Sequence, residues 1–192
     1  MLMVLIGPAC GGMGTRSKLL LDHFGIPHLS IGEMPRQSVC SASLLGKLAG
    51  PIMDSGDLAP DELVIEIVRK RMAQTDCVKR AVFDGFPRTL PQLAALDALL
   101  SEQRHSIDAV IEIRFPEREI AKRIENCYRE FATPRTEDRP DAIPRRLEVC
   151  RSGTLPILTY YEGQSLLKVI DGIGSQEGVF EHGTEFNQQR ET

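Results

Sequence analysis

Apolar residues in this chain fall in short unbroken runs, separated by stretches where they recur every three or four positions. Met1 to Ile6 is apolar throughout, which suits a parallel strand covered on both faces. Thr15 to Phe24 follows as a helix with Leu19, Leu20 and Phe24 towards a core, and Gly25-Ile26-Pro27 stops it. His28-Leu29-Ser30 is a short second strand, and Ala81-Val82-Phe83 a third that ends in Asp84-Gly85. Leu90 to Gln103 carries Leu93, Leu96 and Leu100 at helical spacing. Asp108 to Phe115 is the fourth strand, and Pro116 opens a helix to about Cys127, proline being favourable at a first helical position. Leu166 to Ile170, ending Asp171-Gly172, is the fifth. Strands alternating with helices predict an α/β, doubly wound, five-stranded parallel sheet with ligands at the carboxyl ends of its strands.

Two stretches break the alternation. Ile31 to about Ala59 dissolves into short polar helices, an insertion over 30–59 that rises from the core. Its Pro35 falls near a first helical turn, where the missing N–H costs nothing. Pro60 begins a better helix with Leu63, Val64, Ile67, Val68 and Met72 on one face. Tyr128 to Arg139 is polar and without period, so a loop is expected there. Pro140 should open a helix through Leu147 that Pro144 bends. Residues 183–192 are polar, mixed in charge and expected to fray. The chain shows no internal repeat, and 1–192 reads as one domain.

Composition narrows the class. At 192 residues the chain can bury a proper core. Hydrophobic content of 42% and charged content of 26% are those of a soluble globular protein. A net charge of −4 gives no electrostatic case for nucleic acid. No run nears the ~20 apolar residues that span a membrane, and no export signal is read at Met1 to Ile6, which points to the cytoplasm. Cys10, Cys40, Cys77, Cys127 and Cys150 are odd in number, scattered and without a C-x-x-C pair. Reduced thiols fit that pattern better than a disulfide framework or a zinc site.

The chemistry begins behind the first strand, at Gly7-Pro8-Ala9-Cys10-Gly11-Gly12-Met13-Gly14-Thr15. A buried strand, a glycine-rich turn and a helix start make the layout of a phosphate-binding loop, and Gly7 and Gly12 stand five apart as G-x-x-x-x-G-K-[ST] requires. Glycine lets such a backbone turn tightly and bring N–H groups against phosphate oxygens, and the helix adds its positive end. The expected fold is therefore P-loop nucleoside-triphosphate hydrolase-like. Gly7, Cys10, Gly11, Gly12, Met13, Gly14 and Thr15 form the candidate cradle, with the Thr15 hydroxyl for a metal ion. Met13 stands where the motif has lysine. Asp84, at a strand end, is placed to hold Mg2+ through water as a Walker-B carboxylate does; the bland alternative is a strand-end turn residue.

Arg36, Arg88, Arg123, Arg135 and Arg146 sit at loop edges or helix starts. A phosphoryl group moving between two nucleotides needs fixed cations and no general base, since the acceptor is already an anionic oxygen. Arginine suits this better than lysine because its planar fork holds two oxygens at once. His23, His28, His105 and His182 have no spacing for catalysis or a metal, and read as surface or structural residues.

The arginine spacing and several motifs resemble an adenylate kinase, within the nucleoside-monophosphate kinases, over about 180 residues. The most specific match is Asp84-Gly85-Phe86-Pro87-Arg88-Thr89 followed by Pro91-Gln92. Phe24-Gly25-Ile26-Pro27-His28, Ile52-Met53-Asp54-Ser55-Gly56, Asp61-Glu62-Leu63-Val64 and Pro156 to Tyr161 add to it, as does the spacing of Arg135, Asp138 and Arg146. The resemblance implies a phosphotransferase that moves the γ-phosphoryl of ATP reversibly to AMP, giving two ADP, with Mg2+. It implies that Ile31, Arg36, Met53, Asp57, Leu58, Ala59, Gly85, Arg88 and Gln92 hold AMP, with Gln92 reading the adenine edge. Arg123 would join the cradle on the ATP phosphates, and Arg88, Arg123, Arg135 and Arg146 would be the catalytic arginines. It further implies a monomer whose short lid at 128–138 lacks the cysteines of the zinc-bearing form.

The departures cluster at the same site. Met13 replaces lysine, Cys10 a glycine, Ile31 a threonine and Glu33 an aspartate, and Tyr128 stands where the lid helix usually brings another arginine. Losing one preorganised cationic contact costs ~3–4 kcal/mol, or roughly 10²–10³ in rate. Two readings therefore stand side by side: an adenylate kinase of reduced rate, or a nucleotide-binding pseudokinase that acts through ligand-dependent lid closure.

Overall fold

A computed structural model describes residues 1–8, 26–30, 34, 51–52, 55, 57–77, 79–130 and 143–173. Its five strands are β1 (Leu2–Ile6), β2 (His28–Ser30), β3 (Ala81–Asp84), β4 (Ala109–Arg114) and β5 (Leu167–Asp171). All pair in parallel, in the order β2-β3-β1-β4-β5. Among the described residues they are accompanied by the helices α1 (Asp61–Met72), α2 (Leu90–Glu102), α3 (Glu117–Glu130) and α4 (Ile143–Gly163).

β1 is central and every residue of it is buried. Successive side chains of a strand point to opposite faces, and the core divides accordingly. Leu2, Val4 and Ile6 join Leu29, Phe83 and Val110 in the larger cluster, which takes in the buried residues of α1 and α2 together with Ile157 and Tyr161 of α4. Met3 and Leu5 join Val82, Ile111 and Ile113 in the smaller one. Each such side chain contributes about 1.5–3 kcal/mol by leaving water, so the unbroken apolar run of β1 needs both layers.

The helix starts follow local chemistry. α1 carries Asp61 and Glu62 in its first turn and Arg69, Lys70 and Arg71 in its last, charges that complement the helix dipole. α2 is capped by Thr89, whose side-chain oxygen accepts from the backbone N–H of Gln92 at 3.3 Å.

Sequence and structure differ in two places. α3 runs to Glu130, so Tyr128, Arg129 and Glu130 are helical and not the start of a loop. No glycine or proline stands between Glu117 and Glu130, and polarity alone does not stop a helix. α4 does not end at Leu147 but reaches Gly163; whether it opens at Pro140 lies outside the described residues. The proline inside α4 is Pro156. Ile157 and Tyr161, four residues apart and almost fully buried, anchor the helix beyond it. The helix expected over 15–24, most of the insertion at 30–59, the lid from 131 to 138 and the tail at 183–192 lie outside the described residues.

Candidate active site

The described part of the site is built around the turn that leaves β3. Asp84 closes the strand between Leu5 of β1 and Ser30 of β2, and is only 6% exposed. Gly85 follows with φ +72°, a left-handed conformation that costs an L-residue about 1–2 kcal/mol and glycine almost nothing. Its N–H donates to the Leu5 carbonyl at 3.0 Å, which ties the turn to the central strand. The Phe86-Pro87 peptide is cis, and the Phe86 ring is buried 6.2 Å from that of Phe83.

Arg88 then folds back over the turn. Its Nε donates to the Gly85 carbonyl at 2.8 Å, and a Cβ on residue 85 would lie 2.6 Å from its Nη2. Gly85 is thus required for its conformation and for its bareness. The Arg88 N–H donates to Gln92 Oε1 at 2.8 Å, while Gln92 Nε2 donates to Asp61 Oδ1 at 2.7 Å. Thr89 Oγ1 donates to the same Asp61 oxygen at 2.9 Å. The Asp61 carboxylate thereby links the first turn of α1 to the first turn of α2 and fixes which way the buried Gln92 amide points. An amide has two N–H donors and two acceptor lone pairs, so each end of Gln92 has capacity for one further hydrogen bond beyond those to Arg88 and Asp61.

On the other side of Asp84 stands His28, whose Nε2 is 2.9 Å from Asp84 Oδ2. With a carboxylate opposite, that nitrogen carries the hydrogen and donates. No motif points to this pairing, because the two residues lie 56 positions apart on neighbouring strands. Asp61 and Thr89 fall within matched motifs without a role attached to either, and Arg145 falls in none; all three make side-chain bonds around this turn or to Asp57.

Arg123 lies on α3. Its Nε donates to Glu119 Oε1 at 2.9 Å, one turn back, and its guanidinium carbon stands 4.5 Å from the centre of the Phe115 ring. The Phe115 ring in turn packs on Gly172, just past β5, where a Cβ would fall 2.2 Å from the ring. Arg123 is thereby fixed at the carboxyl ends of β4 and β5, whereas Arg88 is fixed beyond β3.

Of the remaining expected site residues, Gly7 follows β1 directly, Leu58 is half-buried, and Ala59 packs into the larger core cluster. Asp57 turns its carboxylate to Arg145, whose Nε and Nη2 both lie 2.7 Å from Oδ1. Arg146 is in the first turn of α4. Cys10, Gly11, Gly12, Met13, Gly14, Thr15, Ile31, Arg36, Met53 and Arg135 lie outside the described residues.

Among the described residues no group of three His, Cys, Asp or Glu side chains could hold a metal ion. Mg2+ does not depend on such a group, since it keeps most of its waters and takes one or two carboxylates plus substrate phosphates in place of a protein cage. The buried Asp84 carboxylate, steadied by His28, fits that role.

A family model described as adenylate kinase matches residues 5–166, from inside β1 to the edge of β5. The chain is 41% identical over 183 residues to the adenylate kinase of Rhizobium meliloti (strain 1021), covering 93% of this chain and 95% of that protein. It is 37% identical over 203 residues to an archaeal adenylate kinase, that of Archaeoglobus fulgidus, covering 93% and 94%.

The chain belongs to the adenylate kinase family.

The matched segment contains the glycine-rich stretch, the Asp84 turn with Arg88 and Gln92, and the helices carrying Arg123 and Arg146. The parallel sheet and its order are those of an α/β fold consistent with the P-loop kinases of this family. Among the described residues no helix is long and apolar enough to cross a membrane.

Proposed function

We propose that this adenylate kinase family member transfers the γ-phosphoryl group of ATP reversibly to AMP, giving two ADP. The observation that carries the reading is the Arg88 guanidinium, clasped to the Gly85 carbonyl beside the buried Asp84 at the carboxyl end of the sheet. A cation already fixed beside a buried carboxylate is the preorganised arrangement that phosphoryl transfer requires.

In the mechanism so supported, Arg88 and Arg36 grip the AMP phosphate, and Gln92 presents its remaining amide donor to the adenine edge. Arg123, Arg135 and Arg146 balance the charge of the group in flight, while Gly7 to Thr15 cradle the ATP phosphates. Asp84 and Thr15 would hold Mg2+, which when bound neutralises charge on the β- and γ-oxygens. The attacking oxygen belongs to an anionic phosphate, so His28 is not needed as a base and serves to orient Asp84. The chain supplies position and field, and no covalent intermediate is called for.

Met13 is where this chain differs from its motif, and it sets the test. ADP formation from ATP, AMP and Mg2+ should be followed for the parent chain and for Met13→Lys. Turnover by the parent, raised roughly 10²–10³-fold by the restored lysine, is the expected result. Binding of both nucleotides with no ADP from either chain would overturn the enzyme reading and leave the pseudokinase.

A further inference from the structure

Three contacts of α4 fall on one side of the helix. Arg145, in its first turn, makes an ion pair with Asp57, a residue 88 positions away at the end of the insertion. Eight residues on, Gly153 lies so close to the Arg88 backbone that a Cβ there would stand 2.5 Å from the Arg88 carbonyl oxygen. Seven residues further, the Tyr160 hydroxyl donates to Asp97 Oδ2 of α2 at 2.6 Å. Spacings of eight and seven keep all three on one side of a helix with 3.6 residues per turn.

The three partners are the end of the insertion, the peptide of Arg88, and the helix that Arg88 leads into. The Arg145–Asp57 pair is well exposed, 58% and 34% for the two side chains, so it adds little to stability. Its effect is geometric, since it fixes the start of α4, and with it the backbone of Arg146, against the chain expected to hold AMP. Gly153 acts likewise two turns on. Its neighbour is a backbone oxygen already placed by the Arg88 N–H···Gln92 bond, so nothing there can give way cheaply.

We propose that Asp57, Arg145 and Gly153 are positioning residues that register α4 on the acceptor side and so set the distance between Arg146 and Arg88. This rests on the phosphoryl-transfer reading above. AMP affinity by calorimetry, and KM for AMP, KM for ATP and kcat by ADP formation, should be measured for Asp57→Asn, Arg145→Gln, their double variant, Asp57→Arg with and without Arg145→Asp, and Gly153→Ala. Each neutralising single variant is expected to weaken AMP binding about three- to fivefold, with KM for ATP unchanged. The double variant should be no worse than either single, and Arg145→Asp should recover what Asp57→Arg loses. Gly153→Ala should lower kcat about tenfold or more, since a misplacement of about 1 Å can cost 10². A purely structural glycine would instead give a more stable helix and an unchanged kcat. Additive effects of the pair, failure of the charge swap, or an unchanged kcat in Gly153→Ala overturns the proposal while leaving the phosphoryl-transfer reading intact. A parent chain that takes up no AMP defeats that reading, and this proposal with it.

Discussion

Replacing Gly85 with alanine attacks the Asp84 turn in two separable ways. The first is conformational: φ is +72°, and an L-residue held there costs about 1–2 kcal/mol. For a chain of this length that corresponds to a fall in Tm of roughly 2–8 °C. The second is steric, because the new methyl group would stand 2.6 Å from Arg88 Nη2 and 3.2 Å from Nε. The guanidinium can swing clear at little cost to stability, but only by giving up its 2.8 Å hydrogen bond to the Gly85 carbonyl. An arginine displaced by about 1 Å from a phosphate it must grip can lose about 10² in kcat/KM. Activity should therefore fall much further than stability, and the loss should appear with AMP as the varied substrate. Gly163→Ala is the control, since a Cβ there meets nothing within 4 Å and the residue closes α4 without a positive φ. ADP formation and thermal unfolding of both variants would be compared with the parent. Gly85→Ala with kcat/KM for AMP within threefold of the parent would refute the role given to the Arg88–Gly85 clasp.

Two further tests probe the core. Tyr161 is 1% exposed and its hydroxyl has no hydrogen-bond partner among the described residues; an unmet buried hydroxyl costs about 1–3 kcal/mol, so Tyr161→Phe should raise the urea midpoint, and a fall of similar size would reveal a hidden partner. Cys77 is buried, and burial pushes its thiol up to about 11. The thiolate is the reactive form, so alkylation of the Cys77 peptide by iodoacetamide, read by mass spectrometry, should be negligible at pH 8 and climb only as pH approaches 11.

What the sequence revealed was what neighbouring residues decide. β1 to β5 were legible because each is a short apolar run between turn signals, and the Asp84–Arg88 turn because all its parts are contiguous. α4 was misread because Gly153 and Pro156 are both poor helix residues, and nothing local announces that burying Ile157 and Tyr161 outweighs them. The end of α3 is hidden for the opposite reason: its residues are polar, yet no breaker stands among them to stop the helix. His28 on Asp84, Arg145 on Asp57 and Gly153 on the Arg88 carbonyl were out of reach. They are contacts between distant positions that no period or motif records. The candidate site was thus legible as a set of residue types, while the arrangement that holds them still was not.

The strand order has a consequence for how such a protein could change its specificity. β1 divides the sheet into two flanks. On the proposed reading, the insertion that follows β2 and the arginine that follows β3 serve the acceptor. Arg123, beyond β4, belongs to the donor. On that reading the two substrates have separate addresses, with β1 between the two flanks. A lineage could trade one acceptor base for another by altering residues on a single flank, without retuning the donor. β1 alone borders both flanks, and Met13 follows it closely in the sequence, where on that reading a change would be felt by both nucleotides.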